Sequence, residues 1–93
     1  MDYTGLAQQI SAVHTFPGRY TIKLIGASHQ LGEPLIRDAV FAVLPDADFS
    51  LSCKASSADR FFAWTLDVQV ADVETVIRLY TSLESLPGLK ALL

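Results

Sequence analysis

The chain reads as an α+β protein of the ferredoxin-like kind: β-α-β-β-α-β, a four-stranded antiparallel sheet with two helices on one face. Three observations predict it. Apolar and polar residues alternate with period two in three separate segments. Two stretches, one after the first segment and one after the third, carry apolar residues at helical spacing. Proline, glycine and aspartate sit at the joins, where they start or stop regular structure.

Residues 1–15 place Leu6, Ile10 and Val13 at helical spacing, which fits a short amphipathic helix or a frayed arm ahead of a domain over 16–93. Phe16-Pro17-Gly18 then turns the chain, because proline fixes φ and glycine accepts unusual dihedrals. From Arg19 to Ile25, Tyr20, Ile22 and Leu24 share one side of a strand, and Thr21 and Lys23 the other. Gly26 is expected to end this strand. A loop, Ala27 to Gly32, leads to Glu33-Pro34, with proline suited to a first helical turn. Leu35, Ile36, Ala39, Val40 and Val43 form the helix stripe, which closes near Leu44-Pro45.

After a turn at Asp46-Ala47-Asp48, Phe49, Leu51 and Cys53 alternate with Ser50, Ser52 and Lys54 as a second strand. Residues 55–59 are small or polar and read as a loop. The third strand has Phe62, Trp64, Leu66, Val68 and Val70 on one side and Phe61, Ala63, Thr65, Asp67 and Gln69 on the other. Asp72 is a good N-cap, since its carboxylate accepts from free amides of the next turn. Val73, Val76, Ile77, Tyr80 and Leu83 make the second stripe, Pro87-Gly88 stops it, and Leu89 to Leu93 forms a last strand.

Composition narrows the function classes. Ninety-three residues suit a single domain. The formal charge of −3 argues against a general nucleic-acid binder, whose affinity comes mainly from phosphate neutralisation. No apolar run approaches the roughly 20 residues of a membrane span, and the N-terminus does not resemble a signal peptide. One cysteine excludes an intramolecular disulfide and points to a reducing compartment, so a cytoplasmic location is expected.

Phe16-Pro17 leading into Tyr20-x-Ile22-Lys23-x-Ile25-Gly26, then Ser56-Ser57-x-x-Arg60-Phe61 and Thr65, then Tyr80-x-x-Leu83 through Pro87-x-x-Lys90-x-x-Leu93 form three ordered motifs. Together they resemble the YbeD-like family of small bacterial proteins, a domain of unknown function. The resemblance implies a ferredoxin-like fold related in shape to the ACT regulatory domains of amino-acid metabolism. Asp59 and Phe61 depart from the family's usual glycine and tyrosine. The family brings no established catalytic residues.

Two surfaces are candidates. Lys23, Lys54 and Lys90 all fall on the outward face of the expected sheet, with Phe61 and Thr65, and Arg19 and Arg60 near its edges. An acidic protein with its cations on one face is suited to an anionic partner there. The plain alternative is that these lysines maintain solubility and that Lys23 pairs with Asp67. The second candidate is the loop holding Ser28, His29 and Gln30, where ACT-like domains by analogy accept a small carboxylate.

His14 and His29 lie in different segments, and one cysteine with two histidines matches no zinc pattern, so no metal or cofactor is expected. Cys53 alternates inward and reads as a buried structural thiol. An RNA-recognition strand requires a glycine that Arg60-Phe61-Phe62-Ala63-Trp64 lacks. An acylphosphatase loop needs an arginine, and a copper carrier needs paired cysteines; residues 26–30 have neither. No nucleophile–base pair is visible. The expected role is therefore non-enzymatic: a regulatory or interaction domain with a protein partner or a second copy of itself, or alternatively a sensor of a small carboxylate.

Overall fold

The computed structural model describes residues 4–55 and 60–93. Residues 56–59, most of the expected loop and the serine pair of the second motif, lie outside the described residues, as do residues 1–3. The elements are α1 (Thr4–Val13), β1 (Gly18–Ala27), α2 (Glu33–Val43), β2 (Phe49–Ala55), β3 (Phe61–Val70), α3 (Val73–Leu83) and β4 (Leu89–Leu92). The protein is α+β. Its four strands form one sheet in the order β2-β3-β1-β4, with every neighbouring pair antiparallel.

The alternation in sequence becomes the two faces of this sheet. Ile22, Leu24, Leu66 and Val68 are fully buried on one face, packed with Ile36 and Val40 of α2 and Val76, Leu79 and Leu83 of α3. Burying side chains of this size contributes roughly 1.5–3 kcal/mol each relative to exposure, so the helix layer is what holds the sheet. The other face is left to solvent. Both helix starts follow local chemistry. Pro34 lies in the first turn of α2, and the Asp72 carboxylate accepts from the Thr75 amide at 2.9 Å and the Thr75 hydroxyl at 2.7 Å.

In α1, Ile10 is 3% exposed and joins the core, Leu6 packs at its margin, and Val13 is 77% exposed and takes no part. The helical spacing therefore applies to only part of the expected stripe.

Two expectations are corrected. Gly26 does not end the first strand. It is buried within β1, opposite Phe62, and the strand runs on to Ala27. A Cβ at Gly26 would run into the Leu31 side chain, with the Leu31 Cβ only 2.8 Å away, so this glycine exists to admit Leu31 to the core. The register of β1 against β4 also shifts between Ile25 and Gly26.

Cys53 is not buried but exposed. It faces the same side as its partner Trp64, yet the burial along β2 declines from half-buried Phe49 and Leu51 to exposed Cys53 and Ala55. The helix layer does not cover that end of the edge strand. Partial desolvation still raises the thiol pKa, which leaves it protonated at neutral pH.

Candidate functional site

The solvent face of the sheet is organised by register. Ser52, Thr65 and Lys23 lie in one row, and Lys54, Ala63, Ile25 and Ala91 in the next. Lys23 and Lys54 are two strands apart, about 10 Å across the sheet. They flank a small apolar strip of Ile25, Ala63 and Ala91 on the same side.

The carboxylate on this face is not shared with Lys23. Asp67 lies 3.2 Å from the Arg19 Nε, and the same guanidinium reaches Asp48 at 3.5 Å. The expected Lys23–Asp67 pair is thus replaced by an Arg19 bridge. Arg19 shares a row with Gln69 and Asp48, so its guanidinium reaches across β3 to both carboxylates, whereas Lys23 stands in the Thr65 row. Asp67 is the one acidic side chain among the described outward strand positions, and Arg19 takes it. Among the described residues, Lys23, Lys54, Arg60 and Lys90 have no ion pair.

At one end of this face lies a recess of about 600 Å³, lined by Ala27, Ser28, His29, Gln30, Arg60, Phe61 and Lys90. Its parts are far apart in sequence, and backbone hydrogen bonds bring them together. The Ser28 amide donates to the Arg60 carbonyl at 3.0 Å, and the Ala27 amide to the Gly88 carbonyl at 2.9 Å. The Gln30 and Leu31 amides both donate to the Ala27 carbonyl, at 3.1 and 2.9 Å, closing a tight turn.

Gly88 completes the support. Its φ is +81°, and a Cβ there would lie 2.5 Å from the Gln30 Cβ and 3.2 Å from the Leu31 nitrogen. Only glycine allows the turn before β4 to press against the loop after β1.

The structure thus unites two candidate surfaces read separately from sequence. Ser28, His29 and Gln30 share the recess with Phe61 and Lys90, while Lys23, Lys54 and Thr65 occupy the open face beyond it. Arg60, read only as an edge residue, lines the recess directly. The signal that places it there is the register: once Ala27 opposes Phe61, residue 60 must follow beside Ser28. Phe61 is 39% exposed and offers part of an aromatic ring. The recess has hydrogen-bonding groups, a guanidinium, an ammonium and a ring, a set suited to holding an anion carried on an apolar body.

His14 lies elsewhere, packed edge-on against Tyr20 with ring centroids 4.9 Å apart. Among the described residues, no three histidine, cysteine, aspartate or glutamate side chains are grouped to hold a metal ion. None of the described helices is long and apolar enough to cross a membrane.

Comparison with known proteins bears on what this surface belongs to. Residues 11–93 match a family described as protein of unknown function (DUF493). A UPF0250 protein of Shewanella piezotolerans is 35% identical over 79 residues, covering 84% of this chain and 88% of that protein. A UPF0250 protein of Shewanella oneidensis is 30% identical over 81 residues, covering 84% and 88%. One from Chromobacterium violaceum is 30% identical over 79 residues, covering 84% and 89%. The match takes in β1, β3, β4 and the loops that build the recess, and on this ground the chain belongs to the YbeD-like family of small bacterial proteins, DUF493 or UPF0250.

Proposed function

We propose that this chain is a non-catalytic binding domain, regulatory or adaptor in role, whose open sheet face receives an acidic partner protein. The observation that carries this reading is the set of cations that lack counter-ions among the described residues: Lys23, Lys54, Arg60 and Lys90 on one face, with Asp67 already held by Arg19. The opposite layer and its connections carry Glu33, Asp38, Asp46, Asp72, Glu74 and Glu84 against Arg37 and Arg78, so that side is net acidic and the molecule is electrically two-sided. Such a face steers an acidic surface and fixes its orientation. The apolar strip of Ile25, Ala63 and Ala91 supplies the uncharged centre that interfaces favour.

From the other edge the strand order is β4-β1-β3-β2, with α2 and α3 packed into one core, which supports a ferredoxin-like, ACT-like arrangement. We place the domain in the cytoplasm, on the single unpaired cysteine.

The test is site-specific photocrosslinking from Thr65, with Glu74 on the helix layer as control, followed by affinity measurement on the purified pair. Lys23→Glu with Lys54→Glu is expected to weaken binding at least about tenfold and to remove most of its salt dependence. An affinity unchanged by both substitutions rejects the face.

A second reading rests on the recess itself. Its convergence of Ser28, His29, Gln30, Arg60 and Lys90 favours a small carboxylate ligand. A panel of organic and amino acids is then expected to contain one that stabilises the protein by about 2.7 kcal/mol at a hundredfold excess over its Kd. That gain should vanish in Arg60→Gln/Lys90→Gln. A flat response across the panel rejects this second reading and leaves the first untouched.

A further inference from the structure

The free edge of β2 has a backbone pattern that can be assigned residue by residue. The Gln69 amide donates to the Asp48 carbonyl at 2.9 Å, and the register continues as Phe49 opposite Val68. In an antiparallel ladder, hydrogen-bonded and non-bonded pairs alternate. Ser50, Ser52 and Lys54 therefore direct their amides and carbonyls to β3. Those of Phe49, Leu51, Cys53 and Ala55 point away from the sheet. The same parity holds across the sheet. Lys23 exchanges bonds of 2.9 and 2.8 Å with Leu93 on the β4 side, and Ser28 bonds Arg60 on the β3 side.

The edge has few of the usual defences. Residues 49–55 contain no proline, their pairing with β3 has no register shift, and Lys54 is their one charged side chain. Among the described residues, no backbone hydrogen bond from a turn, loop or cap reaches Phe49, Leu51, Cys53 or Ala55. The inner side of the strand is also uncovered, with Cys53 and Ala55 exposed beyond half-buried Leu51. Phe41 of α2, 40% exposed, packs its ring against Phe49 at a centroid distance of 5.4 Å beside this edge.

We propose that β2 is a homodimer edge: two copies pair β2 antiparallel about a two-fold axis at Ser52, giving one continuous eight-stranded sheet. Ser52 is the midpoint of the seven-residue strand, so an axis there overlaps its whole length. That register also sets free groups against free groups. Phe49 meets Ala55 of the second copy, and Leu51 meets Cys53 of the second copy, all four from the unbonded set. A slip of one residue would face free groups with groups already used by β3.

The side chains agree with the backbone. Inward, apolar residues meet apolar ones and Cys53 is covered. Outward, Lys54 meets Ser50 of the second copy, so no like charges oppose one another. A strand that matches itself in length, hydrogen-bond parity and charge is what a two-fold contact requires. A second copy, rather than a foreign peptide, is therefore its occupant. This inference is independent of the partner proposed for the open face, which pairing would simply extend across both copies.

Sedimentation velocity on the full chain tests it, from about 1 μM to about 1 mM, a span that brackets micromolar to millimolar Kd values. A reversible dimer is expected. Cys53→Pro removes an amide that β3 does not use, so the monomer should stay folded while dimerisation weakens on the order of a hundredfold. In a Cys53→Ser background, Ser52→Cys should form an intermolecular disulfide on mild oxidation. Directly opposed, unbonded residues lie about 4.5 Å apart at Cα, within disulfide reach. A chain that stays monomeric across the range overturns the proposal. A dimer that neither responds to Cys53→Pro nor crosslinks through Ser52→Cys also overturns it, placing the contact elsewhere or on another strand.

Discussion

The hydroxyls of Tyr20 and Tyr80 lie 3.2 Å apart inside the core, with their rings edge-on at 6.4 Å between centroids. The contact joins the inner face of β1 to α3. His14, just beyond α1, packs against the same Tyr20 ring. Tyr20 and Tyr80 are 8% and 6% exposed, so the bond is made where an unmet hydroxyl is costly.

Tyr20→Phe is expected to destabilise the protein by about 1 kcal/mol in urea unfolding. Tyr80→Phe should cost about as much, because it removes the other hydroxyl of the same bond. The double variant should lose less than the sum, with a coupling of about 0.5–1.5 kcal/mol. Strict additivity would show that the two hydroxyls do not bond.

Gly88→Ala tests how the recess is held together. A side chain at φ +81° is strained, and its Cβ would press on Gln30 and on the Leu31 amide. The expected cost is about 1–3 kcal/mol, with amide chemical-shift changes centred on Ser28 to Gln30. Gly5→Ala is the control. A Cβ added at Gly5 in α1 would meet nothing within 4 Å, and alanine there should stabilise by about 0.5–1 kcal/mol. Equal effects at both positions would contradict the close approach at Gly88.

Asp72 sets an acid dependence. Hydrogen bonds from the Thr75 hydroxyl and then the Thr75 amide hold its carboxyl below the ordinary carboxylate range. The folded form therefore binds this proton less readily than the unfolded chain. Its stabilising contribution is complete above the ordinary aspartate pKa of about 4 and is lost as the pH falls through the depressed folded-state value. Asp72→Ala should lower the melting temperature by several degrees at neutral pH. The difference from the parent should shrink on acidification below about pH 4. A gap that stays constant into strong acid would show that the cap acts without its charge.

Much of the architecture was readable in the chain. Tyr20, Ile22 and Leu24 alternate because a strand buries every second residue, and they are buried. Val76, Tyr80 and Leu83 recur at helical spacing and face the core. Asp72 caps the helix it precedes. These are local rules, satisfied within a few residues.

The candidate site was legible only in pieces. Ser28, His29 and Gln30 could be seen as a loop, and Lys23, Lys54 and Lys90 as outward side chains. Their meeting with Arg60 and Phe61 depends on pairings across 30 to 60 residues. Charge partners were equally hidden. Asp67 lies one row from both Lys23 and Arg19 on the same face, and the guanidinium of Arg19 takes it together with Asp48.

Alternation by itself determined which side of the sheet each residue faces, since that follows from backbone geometry. Only the tertiary structure decided whether the side was covered. Cys53 points inward and is nonetheless exposed, because the helix layer ends before it. Gly26 sits in a strand rather than at its end, because Leu31 needs the space a side chain would fill. Coverage and close approach are properties of two elements at once, and no single stretch of sequence contains both.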